Sequence, residues 1–133
     1  MALVLAPQKG WVGINKNDQI ILVPFIYDNG PDYLQEGLFR FLESNKMGFA
    51  DSTGKKQIPA QFDFVTPFSD GYALYFIGGE KIYQNGKTEA QILAAVEDLG
   101  DLHWSWGGDI IEKGYINKKG RRFKDKPVLA PQE

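Results

Sequence analysis

"NKMGFADSTGKKQIPAQFD", from Asn45 to Asp63, is the stretch that decides the fold. A glycine between apolar residues opens it, the turn residues Ser52-Thr53-Gly54 interrupt it, and an extended run through Pro59 completes it. Glycine and small polar residues accept the positive φ angles of tight turns, so this pattern is typical of a β-hairpin. Proline cannot donate a hydrogen bond to a neighbouring strand, so we expect Pro59, and Pro24 earlier in the chain, on an edge strand or at a strand end.

A second stretch, "GWVGINKNDQIILVPFIYD" from Gly10 to Asp28, matches the first without a gap. The similarity then continues, one residue out of step, as "EGLFRF" from Glu36 and "DGYALYF" from Asp70. The matched positions are Gly13 with Gly48, Pro24 with Pro59, and Asp28 with Asp63. The unit is roughly 34 residues long, within the ~20–50 residues of known repeat architectures.

Two further copies keep part of this unit. In "GEKIYQNGKTE" from Gly79, Lys81 stands where the earlier copies have glycine, and "EKGYINKKGRRF" restores the glycine as Gly114. The residues expected at the turns are Asn17-Asp18, Gly54, Gly86 and Gly120. We therefore expect a mainly β fold, one domain over 1–133 made of about four tandem antiparallel repeats of ~34 residues, the third degenerate. The expected units are 3–37, 38–71, 72–103 and 104–133.

One helix is expected to interrupt the third unit, near 88–99. Thr88 followed by Gln91 has the spacing of a capping box, and Gly100 is placed to end the helix. The apolar residues recur at helical spacing: Ile92, Leu93, Val96 and Leu99. We expect this apolar face to cover an end of the sheet array, because a membrane-binding helix would carry a cationic polar face.

The pentapeptide "VLAPQ" occurs at Val4–Gln8 and again at Val128–Gln132. The first copy is expected to form a strand that leads into Trp11. This strand has the same position in the repeat unit as the strand expected from Leu38. The position of the second copy in the unit is nearer to that of Ile58-Pro59, so the two identical pentapeptides occupy different positions in the unit. We interpret their identity as a coincidence.

Composition sets broad limits on the function. The chain is 43% hydrophobic and 14% aromatic, which predicts a globular protein with a single core. It contains no cysteine, which excludes disulfides, thiolate metal sites and thiol nucleophiles. The apolar run in MALVLAPQKG is shorter than the ~7–15 residues of a signal peptide, so a cytoplasmic location is expected.

No constellation of side chains predicts an enzyme or a cofactor site. His103 is the only histidine, so no histidine cluster can hold a metal. Asp28 and Asp63 could be read as a glycosidase pair, but turn-forming Asp residues at matched repeat positions are the favoured interpretation. The aromatic run Trp104-Ser105-Trp106 could be a stacking platform, although core packing or strand pairing is favoured.

Several segments resemble bacterial WG-repeat proteins. Lys9–Asn15, Lys46–Lys55 and Lys113–Gly120 are similar to the W-G-x-I-D-x-x-G-K core of that family, and Pro59–Asp63 and Phe68–Ala73 resemble its continuation, roughly I-P-x-x-Y-D then F-x-x-G-L-A. The chain departs from the pattern where Met47 replaces the tryptophan and Lys81 replaces a glycine. The resemblance implies a β-rich repeat array and, for function, binding; it does not by itself imply an activity.

Charge is segregated along the chain, although the formal net charge is only −2. The segment from Thr88 to Glu112 has no Lys or Arg and contains the acids Glu89, Glu97, Asp98, Asp101, Asp109 and Glu112. The following segment is basic and contains Lys113, Lys118, Lys119, Arg121, Arg122, Lys124 and Lys126. A charge run is usually solvated surface, but the acidic one coincides with the break in the repeat, which favours a docking place.

We expect a partner-binding surface formed by Glu97, Asp98, Asp101, Trp104, Trp106, Asp109 and Glu112. Tryptophan anchors among acids suit a basic protein, and basic proteins commonly handle nucleic acid. The hypothesis is a non-catalytic immunity protein of a contact-dependent or polymorphic toxin system. It would bind and neutralise a basic nuclease toxin by blocking its active site.

Three alternatives stay open. The basic segment 113–126 could bind nucleic acid, although the overall pI of about 5.4 argues against it. A self-associating architectural repeat module is possible, because short arrays leave unpaired strand edges. A glycan-active enzyme is the least favoured alternative. No membrane contact and no small-molecule ligand is expected.

Overall fold

A computed structural model describes residues 1–27, 30–83, 87–88, 91 and 104–125. The elements bounded in these ranges are all β-strands, which confirms a mainly β chain. They are β1 (Ala2–Ala6), β2 (Gly10–Ile14), β3 (Ile20–Pro24), β4 (Ile26–Tyr27), β5 (Gly30–Pro31), β6 (Leu38–Glu43), β7 (Lys46–Asp51), β8 (Lys56–Phe62), β9 (Phe64–Val65), β10 (Tyr72–Tyr83), β11 (Trp104–Asn117) and β12 (Arg122–Phe123).

The strands form three sheets, and their pairings are antiparallel, as the sequence predicted. A six-stranded sheet has the order β1-β2-β3-β6-β7-β8, and a four-stranded sheet has the order β12-β11-β10-β9. β4 and β5 form a small ribbon of their own. Pro24 ends β3 and Pro59 lies in the edge strand β8, so both prolines lie where their missing N–H groups predicted.

The predicted turns share one pattern of hydrogen bonds. The Asn15, Asp51 and Asn117 side chains each accept a backbone N–H two residues later and another four residues later. The expected turn residues Asp18, Gly54 and Gly120 have φ angles of 60°, 87° and 81°. Tyr83 N donates to Lys87 O at 3.0 Å, as Asp51 N does to Lys55 O at 3.0 Å. Backbone geometry therefore recurs along the chain where the sequence similarity is weak.

The turns correct the sequence alignment by one residue. Asn15 and Asp51 occupy the same turn position, whereas the gapless alignment places Asn15 against Ala50. The ladders agree, because Gly13 pairs with Leu22 as Phe49 pairs with Ile58. Tyr83 occupies the same turn position as Asp51. The residue equivalent to Gly48 is therefore Glu80 and not Lys81. Gly13 and Gly48 are therefore not equivalent in the ladders, although the sequence alignment matches them.

Two-residue turns with positive φ at both residues join other strands. They are Glu36-Gly37 (54° and 85°), Ser44-Asn45 (52° and 64°) and Asp70-Gly71 (54° and 83°). This is the geometry of type I′ turns, whose twist matches that of antiparallel strands. The backbone N–H of Gly71 also donates to Glu36 Oε1 at 2.9 Å, so the first and third of these turns are bonded to each other.

The predicted helix near 88–99 falls almost entirely outside the described residues. At its start, Thr88 N donates to Gln91 Oε1 at 2.9 Å and Gln91 N donates to Thr88 Oγ1 at 3.2 Å. These are the two reciprocal bonds of a capping box, as the sequence predicted at this point. The helix itself stays a prediction. The second VLAPQ copy, at 128–132, also lies outside the described residues.

The core consists of two clusters of buried side chains. The larger one joins both main sheets and contains Phe25, Leu38, Met47, Phe49, Ile58, Phe62, Val65, Phe68, Ala73, Tyr75 and Ile116. The smaller one lies on the six-stranded sheet and contains Leu22, Phe39, Phe41 and Ala50. No helix in the part of the chain that the structure describes is long and apolar enough to cross a membrane.

Candidate functional site

The long β10–β11 ribbon carries the described part of the predicted binding surface. Its ladder runs from Tyr72 opposite Asn117 to Tyr83 opposite Trp104 and shifts register on both sides of Gly78. Gly78, Gly79 and Gly108 have φ angles of 80°, 92° and 80° in this irregular part. Such angles are strained for other residues, so the glycines allow β-bulges here.

One bulge pushes Ile111 out of the ladder. Ile77 pairs with Glu112 and Gly78 pairs with Ile110, so Ile111 is the unpaired extra residue. Its side chain is 82% exposed, the highest value among the large hydrophobic residues that the structure describes. A Cβ at position 78 would contact the Ile111 side chain and the Asp109 carbonyl. The lack of a side chain at Gly78 therefore makes room for this bulge.

Exposed acidic residues lie on the same ribbon as Ile111. Asp109 and Glu112 flank it on β11, and Glu80, opposite Gly107 on β10, is also exposed. We name these four residues, Glu80, Asp109, Ile111 and Glu112, the bulge surface. It combines an exposed apolar side chain with carboxylates, of which Glu112 is already paired with Arg122. Exposed carboxylates beside an apolar side chain suit a basic protein surface.

The Glu112 carboxylate is held in place by two donors. Tyr75 Oη donates to Glu112 Oε2 at 2.7 Å, and Arg122 Nη1 lies 3.2 Å from the same oxygen. Burial raises the pKa of Tyr75 above its ordinary value, and the bond to Glu112 raises it further. Glu112 therefore has a fixed position within the bulge surface.

The two tryptophans of the predicted surface pack inward. Trp106 stacks on Phe64 with ring centroids 5.1 Å apart and planes 8° apart, and its Nε1 donates to Gly78 O at 2.9 Å. Trp104 meets Phe25 and Phe64 edge-on at 6.2 Å and 5.6 Å. Both are half-buried, which agrees with the favoured interpretation that this aromatic run serves packing.

Asp63 has a different role from the turn-forming one expected of it. Its carboxylate accepts from Lys46 Nζ and, at 2.6 Å, from the backbone N–H of Gly78. Burial acts to raise the pKa of Asp63, but these two donors outweigh it and hold the pKa below its ordinary value. Asp63 thus fixes the backbone at the bulge, a function that its position at a strand end did not reveal.

Several predicted site residues lie outside the described part of the chain: Glu97, Asp98 and Asp101 of the acidic segment, together with His103 and Asp28. Among the described residues, no group of His, Asp and Glu has the arrangement of a metal site.

The basic segment is partly engaged in ion pairs. Lys118 Nζ lies 3.3 Å from Glu36, and Arg122 bonds to Glu112 as described above. Arg122 also lies over the rings of Phe62 and Tyr75, 5.1 Å from each centroid. These contacts take part of the basic charge into the protein's own surface, which weakens the argument for nucleic-acid binding.

Sequence reasoning missed a buried ion pair. Arg40 and Asp32 bond through two pairs of atoms, and the Arg40 guanidinium lies 4.6 Å from the centroid of Phe25. The available signal was a single arginine inside the apolar run of β6, "LFRFLE". Because a buried charge requires a partner, that arginine predicts a buried acid nearby.

Comparison with known proteins finds one repeat unit. A family model described as "WG containing repeat" matches residues 47–80, from β7 into β10. No curated protein and no solved structure matches the chain. The matched segment contains Gly48, the Ser52-Thr53-Gly54 turn and Asp63. Residues 47–80 are therefore similar to a WG repeat.

Proposed function

We propose that the protein is a non-catalytic binding domain that docks a basic protein on the bulge surface. The observation that carries the proposal is Ile111, which is 82% exposed and lies between Asp109 and Glu112 in β11. Ile111 is the residue that the bulge leaves without a partner in the ladder. An exposed apolar side chain can serve as an anchor in an interface, and charges near it can match a partner of opposite charge.

The scaffold around this surface is proposed to be an array of about four units of roughly 34 residues. The recurring turn bonds at Asn15, Asp51, Tyr83 and Asn117 support this count. The bulge surface lies where the β10–β11 ladder shifts register, with Glu80 in the third unit and the other three residues in the fourth. Glu97, Asp98 and Asp101 belong to the acidic segment and are proposed to extend the acidic surface.

Within this class, the proposal is an immunity protein of a contact-dependent or polymorphic toxin system, acting in the cytoplasm. Its toxin would be a basic nuclease, because nucleases need Lys and Arg to hold phosphate. An acidic inhibitor can associate rapidly through electrostatic attraction and then cover the substrate groove. No group on the inhibitor needs to take part in chemistry.

Co-expression with the product of the adjacent gene tests the proposal. We expect the two proteins to purify together and the protein to restore growth of cells that produce the neighbouring toxin. Asp109→Lys should reduce both results, since it places a positive charge against a basic partner. Glu43→Lys, the same charge change on β6, is the matched control and should retain both. Lack of any complex, or equal loss in both variants, would contradict the proposal.

A further inference from the structure

β1 forms an exposed edge of the six-stranded sheet. It pairs with β2 on one side, and no other described strand lies beyond it. Natural sheet edges usually carry a charge, a proline or a bulge, or are very short, since an open edge can pair with another chain. β1 is five residues long, uncharged and without proline, and its ladder with β2 has no register shift.

The other edges of the two main sheets carry such protection. β8 contains Lys56 and Pro59. β9 and β12 cover only two residues each of β10 and β11, and the rest of those two edges carries the bulge and charged residues such as Glu80 and Asp109. The edge of β1 is therefore unlike the other described edges of these sheets.

Comparison within the repeat shows that a strand fits beside β1. Leu5 pairs with Trp11 as Leu42 pairs with Met47, so β1 and β6 are equivalent strands. On its other side β6 pairs with β3, through Val23 opposite Leu42. The equivalent place beside β1 is empty of any described strand.

The sequence of β1 is a palindrome, Ala2-Leu3-Val4-Leu5-Ala6. Two copies of an antiparallel strand related by a two-fold axis place residue i opposite j and j opposite i. With the axis at Val4, Leu3 faces Leu5 of the second copy and Ala2 faces Ala6. Leu3 and Leu5 share one face of the strand and are 37% and 66% exposed.

We propose that two copies of this chain associate through β1, edge to edge and antiparallel about Val4, which joins their six-stranded sheets. The pairing covers Leu3 and Leu5 and brings no charges together. Pro7 fixes the register, because a shift toward it would place a residue without an N–H group in the ladder. This inference is independent of the proposed toxin partner, which would dock on the four-stranded sheet.

Sedimentation over a range of concentrations tests the proposal with two paired variants. Leu3→Lys with Leu5→Lys places two lysines opposite each other on both sides of the axis and should give a monomer. Leu3→Lys with Leu5→Glu places each lysine opposite a glutamate of the second copy and should restore the dimer. The control, Ile20→Lys with Val23→Lys, adds the same charge at exposed positions of the inner strand β3 and should remain a dimer.

A disulfide gives an independent readout, because the chain has no cysteine. Val4→Cys should form a covalent dimer under mild oxidation, since the two-fold axis brings the two thiols opposite each other. Val23→Cys should not. Monomeric wild-type protein, equal cross-linking of the two cysteine variants, or a dimer that persists with two lysines on β1 would overturn the proposal.

Discussion

Arg40 on β6 and Asp32, the residue after β5, form a two-point ion pair whose side chains are 4% and 3% exposed. Arg40 Nη2 donates to Asp32 Oδ1 at 2.7 Å, and Nε donates to Oδ2 at 2.9 Å. Nη1 donates to the carbonyl of Val65 on β9 at 3.1 Å. One side chain therefore joins the six-stranded sheet, the segment after β5 and the four-stranded sheet.

Removing the acid of this pair should destabilise the fold strongly. Asp32→Ala leaves the Arg40 charge buried without its partner, which typically costs about 3–5 kcal/mol of unfolding free energy. Replacing both residues, with Arg40→Met and Asp32→Leu, should cost less than Asp32→Ala alone. Urea denaturation measures each difference. The control pair is Lys56 with Glu43, 40% and 57% exposed, where Glu43→Ala should cost less than about 1 kcal/mol. Similar losses at the two sites would contradict the account.

Gly48 is expected to tolerate no side chain. A Cβ at this position would overlap the backbone of β8, against the carbonyl of Ile58 and the N of Ala60. Gly48→Ala should therefore lower the unfolding free energy by about 1–3 kcal/mol or prevent folding, since backbone atoms cannot turn aside. Gly30→Ala is the matched control, because nothing lies within 4 Å of a Cβ there. Thermal unfolding compares the two, and equal stability of Gly48→Ala and Gly30→Ala would contradict the close approach of β7 and β8 at Gly48.

The recurring turn depends on one acceptor oxygen. Asn117 Oδ1 accepts from the N–H groups of Lys119 and Arg121, both at 3.0 Å. Asn117→Ala should cost about 1 kcal/mol for the lost bonds, whereas Asn117→Asp keeps an acceptor and should cost much less. Equal effects on the urea midpoint would mean that these bonds do not stabilise the turn.

Acid should weaken the link between Asp63 and the bulge. The pKa of Asp63 is lowered in the folded protein, so its stabilising effect is complete above its unfolded pKa, about 4, and is lost as the pH falls through the folded value. We expect Asp63→Asn to be less stable than wild type at pH 7 and the difference to shrink below about pH 4. Unfolding curves at a series of pH values measure it. A constant difference down to pH 2 would contradict this role.

Much of the fold was readable from local turn chemistry. The positions of Asp18, Gly54 and Gly120 identified the hairpins, because their positive φ angles restrict the residues that fit. The sequence alignment was wrong by one residue at Gly13. It matched Gly13 with Gly48 because the surrounding residues are similar, but the two glycines occupy different positions in their ladders. Pairing between strands, which sequence letters do not record, decided that register.

The candidate site was less predictable for a related reason. Asp109 and Glu112 were proposed from charge, but Ile111 was not, because the sequence does not distinguish an isoleucine between them from any other strand residue. Its exposure depends on the bulge, and the bulge depends on Gly78, a distant residue in sequence. Trp104 and Trp106 were included as anchors, and the structure packs both against Phe64, where tertiary contacts decide the direction of each ring.

The affinity for the product of the adjacent gene tests the central claim most directly. Calorimetry should compare wild type with the double variant Asp109→Lys, Ile111→Ser and with a control that makes the same changes elsewhere, Glu43→Lys, Leu34→Ser. Leu34 is 50% exposed, so the control also removes an exposed apolar side chain. We predict that the bulge-surface variant raises Kd at least about tenfold, a loss of about 1.4 kcal/mol, and that the control keeps the wild-type value. An unchanged Kd in the bulge-surface variant, or an equal rise in both, would contradict binding through Ile111 and its acidic neighbours.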